Sequence, residues 1–157
     1  MTRYMFAIAA LAVLVMRYRT TDRKVEEKSS AAATGTIVDA VRDGVFIHIT
    51  HSYDDPHRVV MPLRMATMMA GDKDVLVYFD IKGIGAVLKY SKDITYPAFP
   101  SAKESLGELL KKGIQIYACP GCMKAAGKTQ NDLMPGVTLA EKEKCFGFTK
   151  GRILTLD

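Results

Sequence analysis

The sequence predicts an α/β fold, a three-layer sandwich with a mostly parallel five-stranded sheet between helices, preceded by an N-terminal apolar helix. Three observations predict it. Short β-rich runs alternate along the chain with segments that carry helix start and stop signals, the pattern of strands joined by helical crossovers. The strand runs are almost continuously apolar, as parallel strands are when both faces are covered. Glycine and proline punctuate the boundaries between the two kinds of segment.

The first strand is Val45-Phe46-Ile47-His48-Ile49-Thr50, which follows Gly44. Asp54-Asp55-Pro56 then opens a helix, because aspartate caps free N–H groups and proline suits the first helical position. This helix runs to Ala70 with Val59, Val60, Leu63, Met65, Ala66, Met68 and Met69 as its buried face, and Gly71 ends it. Its methionines read as core filling rather than as a copper site. Asp74 to Asp80 is the second strand, and Gly83-Ile84-Gly85 turns into a short helix; a lone GxG without a following glycine or lysine pattern makes no phosphate site. Ser101 and Glu104 form a capping box for a helix ending at Lys112, before Gly113. Ile114 to Ala118 is the third strand and leads into Cys119-Pro120-Gly121-Cys122 and the helix-forming Met123-Lys124-Ala125-Ala126, stopped by Gly127. A short helix over Asn131–Leu133 and strands over Val137–Ala140 and Arg152–Leu156 complete the sheet.

A chain of 157 residues with 48% hydrophobic and 25% charged content suits one globular domain. The net charge of +5 does not point to nucleic acid, because lysines and arginines are scattered rather than gathered with aromatics on one face. Much of the excess, Arg3, Arg17, Arg19, Arg23 and Lys24, flanks an apolar run from Met5 to Met16. That run reads as a signal h-region or a short membrane anchor, residues 1–19, followed by a tether, 20–40, and the folded domain, 41–157. It is shorter than the roughly 17–25 residues of a spanning helix. Arginines stand where small residues would precede a cleavage site. The expectation is membrane association through the N-terminus, with export if the run is a signal and the cytoplasmic face favoured by the charge bias. An N-terminal extension ahead of a soluble domain is the alternative.

Three cysteines, two of them at CxxC spacing, are too few for a disulfide framework and favour reactive or metal-binding thiols. Cys145 reads as an ordinary half-buried cysteine. In open parallel sheets ligands gather at the carboxyl ends of the strands, which brings 51–57, 80–83 and 119–122 to one rim.

Over residues 44–157 the chain resembles the DsrE-like family of sulfur-relay proteins, which includes the DsrE and TusD sulfurtransferase subunits. The likeness rests on Gly44-Val45-Phe46-Ile47-His48, Asp54-Asp55-Pro56-His57-Arg58, the strand ending in Asp80, Ala118-Cys119-Pro120-Gly121-Cys122-Met123-Lys124-Ala125-Ala126-Gly127, and Gly151-Arg152-Ile153-Leu154-Thr155-Leu156-Asp157. The resemblance implies that Cys119, at a strand end before a short helix closed by Gly127, accepts and passes on sulfane sulfur as a persulfide. It implies sulfur donor and acceptor proteins or small thiols as partners, and a homo-oligomer, trimeric or hexameric.

The chemistry needs a thiolate, and a helix start beside Lys124 favours one at Cys119. Cys122 is expected to resolve or share the modification, since CxxC also cycles between dithiol and disulfide. Cys119 and Cys122 are thus the candidate catalytic residues, with His51, His57 and Lys124 as candidate substrate-binding residues and no cofactor. His48 reads as a core residue. The alternative is a non-catalytic metal- or partner-binding module on the same rim, in which His51, His57, Cys119 and Cys122 hold zinc or copper.

Overall fold

The computed structural model describes residues 41–157. The expected apolar N-terminal helix, the segment 1–19 and the tether 20–40 lie outside them. Among the described residues no helix is long and apolar enough to cross a membrane.

The five strands are β1 (Gly44–Ile49), β2 (Asp74–Phe79), β3 (Gln115–Ala118), β4 (Val137–Leu139) and β5 (Ile153–Leu156). They form one sheet in the order β4-β3-β2-β1-β5. All four pairings are parallel, so the expected mostly parallel sheet is wholly so. No hairpin is needed, because each strand is reached through a crossover. The helices are α1 (His57–Met69), α2 (Ala102–Lys111), α3 (Pro120–Ala125) and α4 (Lys142–Phe146), with 3-10 turns at Gly83–Val87 and Gln130–Asp132.

Strand alternation divides the sheet into two unlike faces. Val45, Ile47, Ile49, Val75, Val77, Phe79, Ile116 and Ala118 point to one face, where Val59, Leu63 and Ala66 of α1, Leu106 and Leu109 of α2 and Met123 of α3 complete the main core. Phe46, Leu76, Tyr78 and Tyr117 point to the other, where Cys145 of α4 and Phe148 are their cover. The layers are therefore unequal, and the thin one leaves side chains near the strand ends accessible.

Local chemistry explains the boundaries. Ser101 caps α2, its side chain accepting the Glu104 N–H. Asp54 is not the cap of α1: Pro56 holds that position, and Asp55 accepts the Arg58 N–H. Two assignments on α1 change as well. Met68 is 67% exposed and Met65 only half-buried, while Pro62 and Thr67 are buried in their place. Thr67 is tolerated there because its hydroxyl donates to the Leu63 carbonyl at 3.1 Å. Helix α4, only five residues long, is too short to show a sequence period, and Cys145 on it is buried rather than half-buried.

Candidate functional site

The carboxyl ends of the three central strands continue in register. Asp80 donates its N–H to the Ile49 carbonyl at 3.2 Å, and Cys119 donates its own to the Phe79 carbonyl at 2.8 Å. Asp80 and Cys119 thus stand side by side, one residue past β2 and β3. Alternation sets Cys119 on the side of Tyr117 and Tyr78, the thin face.

Cys119 is the N-cap of α3, with Pro120 at the first helical position, where the missing proline N–H costs nothing. Its Sγ accepts the Cys122 N–H at 3.3 Å. Gly127, at φ 65°, ends this segment in the left-handed region that glycine adopts without strain. The Cys122 Sγ accepts the Ile81 N–H at 3.1 Å. Ile81 reaches it from a φ of 47°, a costly conformation for a β-branched residue, and such strain persists where the surroundings demand it.

These contacts separate the two thiols. Burial opposes ionisation of Cys119, but the Cys122 thiol and N–H, the Tyr78 hydroxyl and the Gly121 N–H outweigh it and hold the thiol below the ordinary cysteine value. Burial pushes the Cys122 thiol up, and its bond to Cys119 adds to the rise against the opposing Ile81 N–H. Burial also raises the Tyr78 hydroxyl, as does its bond to Cys119, so that it remains a proton donor. Tyr78 was not among the residues singled out by sequence; its place two residues before Asp80, on the same face, was the available signal.

His48 is not a core residue. Its ring is 27% exposed and lies between two carboxylates, with Nε2 2.8 Å from Asp80 Oδ2 and Nδ1 3.1 Å from Asp157 Oδ1. Burial disfavours the imidazolium, but Asp80 and then Asp157 more than compensate and raise its pKa. The other Asp80 oxygen, Oδ1, is buried without a partner among the described residues. His48 thereby joins the ends of β1, β2 and β5 at the point where the chain's crossovers diverge, since β1 has β2 on one side and β5 on the other.

A cavity of about 490 Å³ opens on the thin face. Its walls are mainly Phe46, Tyr78, Ala140, Cys145 and Phe146, and His48, Asp80 and Pro120 bring it to the edge of the thiol site. Burial raises the Cys145 thiol, the opposite of what a reactive cysteine needs.

His51 and His57 line a separate cavity of about 340 Å³ together with His48, Arg58 and Asp157, and no cysteine contributes to it. His51 Nδ1 is 3.0 Å from Asp54 Oδ2. The Ser52 N–H and the Lys82 ammonium, with His51, hold the Asp54 carboxyl well below the usual carboxylate range. His57 stacks on Tyr96 with ring centroids 4.3 Å apart. Lys124 is exposed in the last turn of α3, at the end away from Cys119. Among the described residues no group of three or more His, Cys, Asp and Glu side chains is arranged to hold a metal ion. The metal alternative through His51, His57, Cys119 and Cys122 therefore has no assembled ligand set: the partners of the two imidazoles are Asp54 and Tyr96.

The DsrE/DsrF-like family model matches residues 43–147. Among solved structures, the chain is similar to the ychN protein from E. coli, with a TM-score of 0.58 at 17% identity over 73% of this chain and 99% of that one. A protein of unknown function from Methanobacterium thermoautotrophicum gives a TM-score of 0.49 at 18% identity, covering 74% and 99% of the two chains. One from Bacteroides thetaiotaomicron gives 0.47 at 16%, covering 78% and 100%. No curated protein matches the chain. At these identities the first likeness bears on the fold, and the two below 0.5 add nothing to it. The family model spans well over half of the chain, from β1 through α4 with the Cys119 turn inside it, and the chain belongs to the DsrE/DsrF-like family.

Proposed function

We propose that this protein is a sulfur-relay component that takes up sulfane sulfur on Cys119 as a persulfide and hands it to a thiol acceptor. Family membership suggests the sulfur-relay role. The observation that carries the assignment to Cys119 is the placing of that thiol at the end of central strand β3, where Cys122, Tyr78 and the Gly121 N–H outweigh burial and favour its thiolate. The thiolate is the nucleophile that a sulfane donor meets, and Cys119 is accessible while Cys145 is buried. Sulfur donor and acceptor proteins or small thiols are the partners of this reading. Homo-oligomerisation is part of it too, supported by the exposed Ile153 and Leu154 on edge strand β5 and the 65% exposure of Phe146. The apolar run at residues 5–16 would hold the domain at a membrane surface.

The test is to incubate the protein with inorganic polysulfide, remove the excess and map the added sulfur by peptide mass spectrometry. The expected result is one extra sulfur on the Cys119 peptide and none in Cys119→Ser. Uptake that survives Cys119→Ser overturns the assignment.

A further inference from the structure

We propose that Cys122 limits the lifetime of the persulfide: it attacks the Cys119 sulfur, closes a Cys119–Cys122 disulfide and releases the sulfane sulfur as hydrogen sulfide. This step rests on the reading that Cys119 carries sulfane sulfur, and it gives the second thiol of the turn a role that a simple carrier lacks.

The geometry favours attack on the inner sulfur. Cys119 is the N-cap of α3 and Cys122 its third residue, so the helical turn folds the second cysteine back over the first. The Cys122 N–H donates to the Cys119 Sγ at 3.3 Å, and the Cys122 thiol lies close enough to favour the thiolate form of Cys119. The sulfur that Cys122 faces is thus the one covalently fixed to residue 119. A second contact points the same way. The strained Ile81 aims its N–H at the Cys122 Sγ, which stabilises negative charge there as the proton leaves.

The atoms balance without an added oxidant. The Cys122 sulfur bonds to the Cys119 Sγ, and the bond from that Sγ to the outer sulfur breaks. Its electron pair departs with the outer sulfur, which takes up the Cys122 proton and leaves as hydrogen sulfide. The Cys122 sulfur is oxidised, the outer sulfur is reduced, and the Cys119 sulfur keeps its oxidation state. Returning the disulfide to the dithiol needs an external dithiol reductant. Burial and the bond to Cys119 keep Cys122 protonated near neutrality, which slows resolution and leaves time for transfer to an acceptor. Rising pH shortens that time.

The experiment uses the full chain and Cys122→Ser, each loaded with inorganic polysulfide, freed of excess and followed by intact mass and a sulfide-selective probe. In the wild type the added sulfur should disappear as one sulfide is released per persulfide, leaving a species two hydrogens lighter than the dithiol. Release should quicken with pH. Cys122→Ser should hold its sulfur on Cys119 more than about tenfold longer, the loss of a neighbouring nucleophile. Cys122→Ala should do the same and guards against an effect of the serine hydroxyl. Equal lifetimes in all three proteins overturn the proposal, as does fragment-ion sequencing of the shared 113–124 peptide that places the extra sulfur of the wild type on Cys122. If none of the three takes up sulfur, the carrier reading falls first and the resolution step with it.

Discussion

Replacing Tyr78 by phenylalanine removes the hydroxyl that favours the Cys119 thiolate and keeps the ring that lies 5.5 Å from Phe46. A hydrogen bond to a charged group contributes about 1.5–3 kcal/mol. The Cys119 side chain is half-buried, so water takes over part of the lost bond, and about 1 kcal/mol is a fair figure. That corresponds to about fivefold less thiolate at any pH well below the thiol pKa. A more basic thiolate is also a better nucleophile, with a Brønsted coefficient of about 0.4–0.5, which returns a factor of about two. Alkylation of Cys119 in Tyr78→Phe should therefore be about two to three times slower than wild type at pH well below the thiol pKa. Once both thiols are ionised it should be about twice as fast. The assay is the iodoacetamide rate at Cys119, measured by peptide mass spectrometry across the titration. The crossing of the two curves is the signature. A mutant curve lowered by one factor at every pH would mean that Tyr78 governs access to the sulfur and not its ionisation, and an unchanged curve would remove Tyr78 from the site.

In the wild type, limiting alkylating reagent should label Cys119 before Cys122, and Cys145 only after unfolding, since burial raises that thiol; preferential labelling of Cys122 would reverse the assigned roles. His48 has a raised folded-state pKa, so its ion pairs with Asp80 and Asp157 stabilise the fold fully below the unfolded value of 6.5 and less as pH rises through the higher folded value. The melting-temperature difference between wild type and His48→Gln should accordingly shrink from mildly acid to alkaline pH, and a pH-independent difference would refute the pairing. A Cβ at Gly83 would overlap the Ile49 carbonyl oxygen, so Gly83→Ala should cost about 1–3 kcal/mol in urea unfolding; a neutral substitution would show that the loop after β2 shifts freely. Removal of residues 1–40 should leave the thermal transition of 41–157 in place while abolishing co-sedimentation with anionic lipid vesicles; a collapse of the transition would mean that the apolar run packs into the fold.

The three central strands were legible because burial in a parallel sheet writes apolar runs, and all five predicted runs became strands within a residue or two, β5 despite its exposure. The same signal misplaced His48. A run apolar on both faces conceals that one face is thinly covered, and the depth of cover depends on α4, a five-residue helix too short to show a period. Met68 failed for a related reason: composition along α1 is apolar beyond the width of the face that meets the sheet. The Cys119 turn was legible because strand end, proline and helix formers are consecutive. Tyr78 and Ile81 act on its sulfurs across a strand boundary, and Asp157 reaches His48 from the residue after β5, relations that only the sheet order supplies. His51 and His57, close to the rim in sequence, line a different cavity because Asp54 and Tyr96 claim their rings.

The pairing of β5 with β1 joins Gly44 to Ile153 across almost the whole domain. Such a contact should form late in folding, because a long loop must close before it gains anything. It should also be among the first to open, since three of the four β5 residues are exposed and the strand has a neighbour on one side only. Amide exchange in β5 should then outpace that in β2 and report on the titration of His48, which loses Asp157 whenever the strand detaches. A strand that leaves and returns on its own would make the edge of β1 a transient seam, open to whatever extended segment reaches it first.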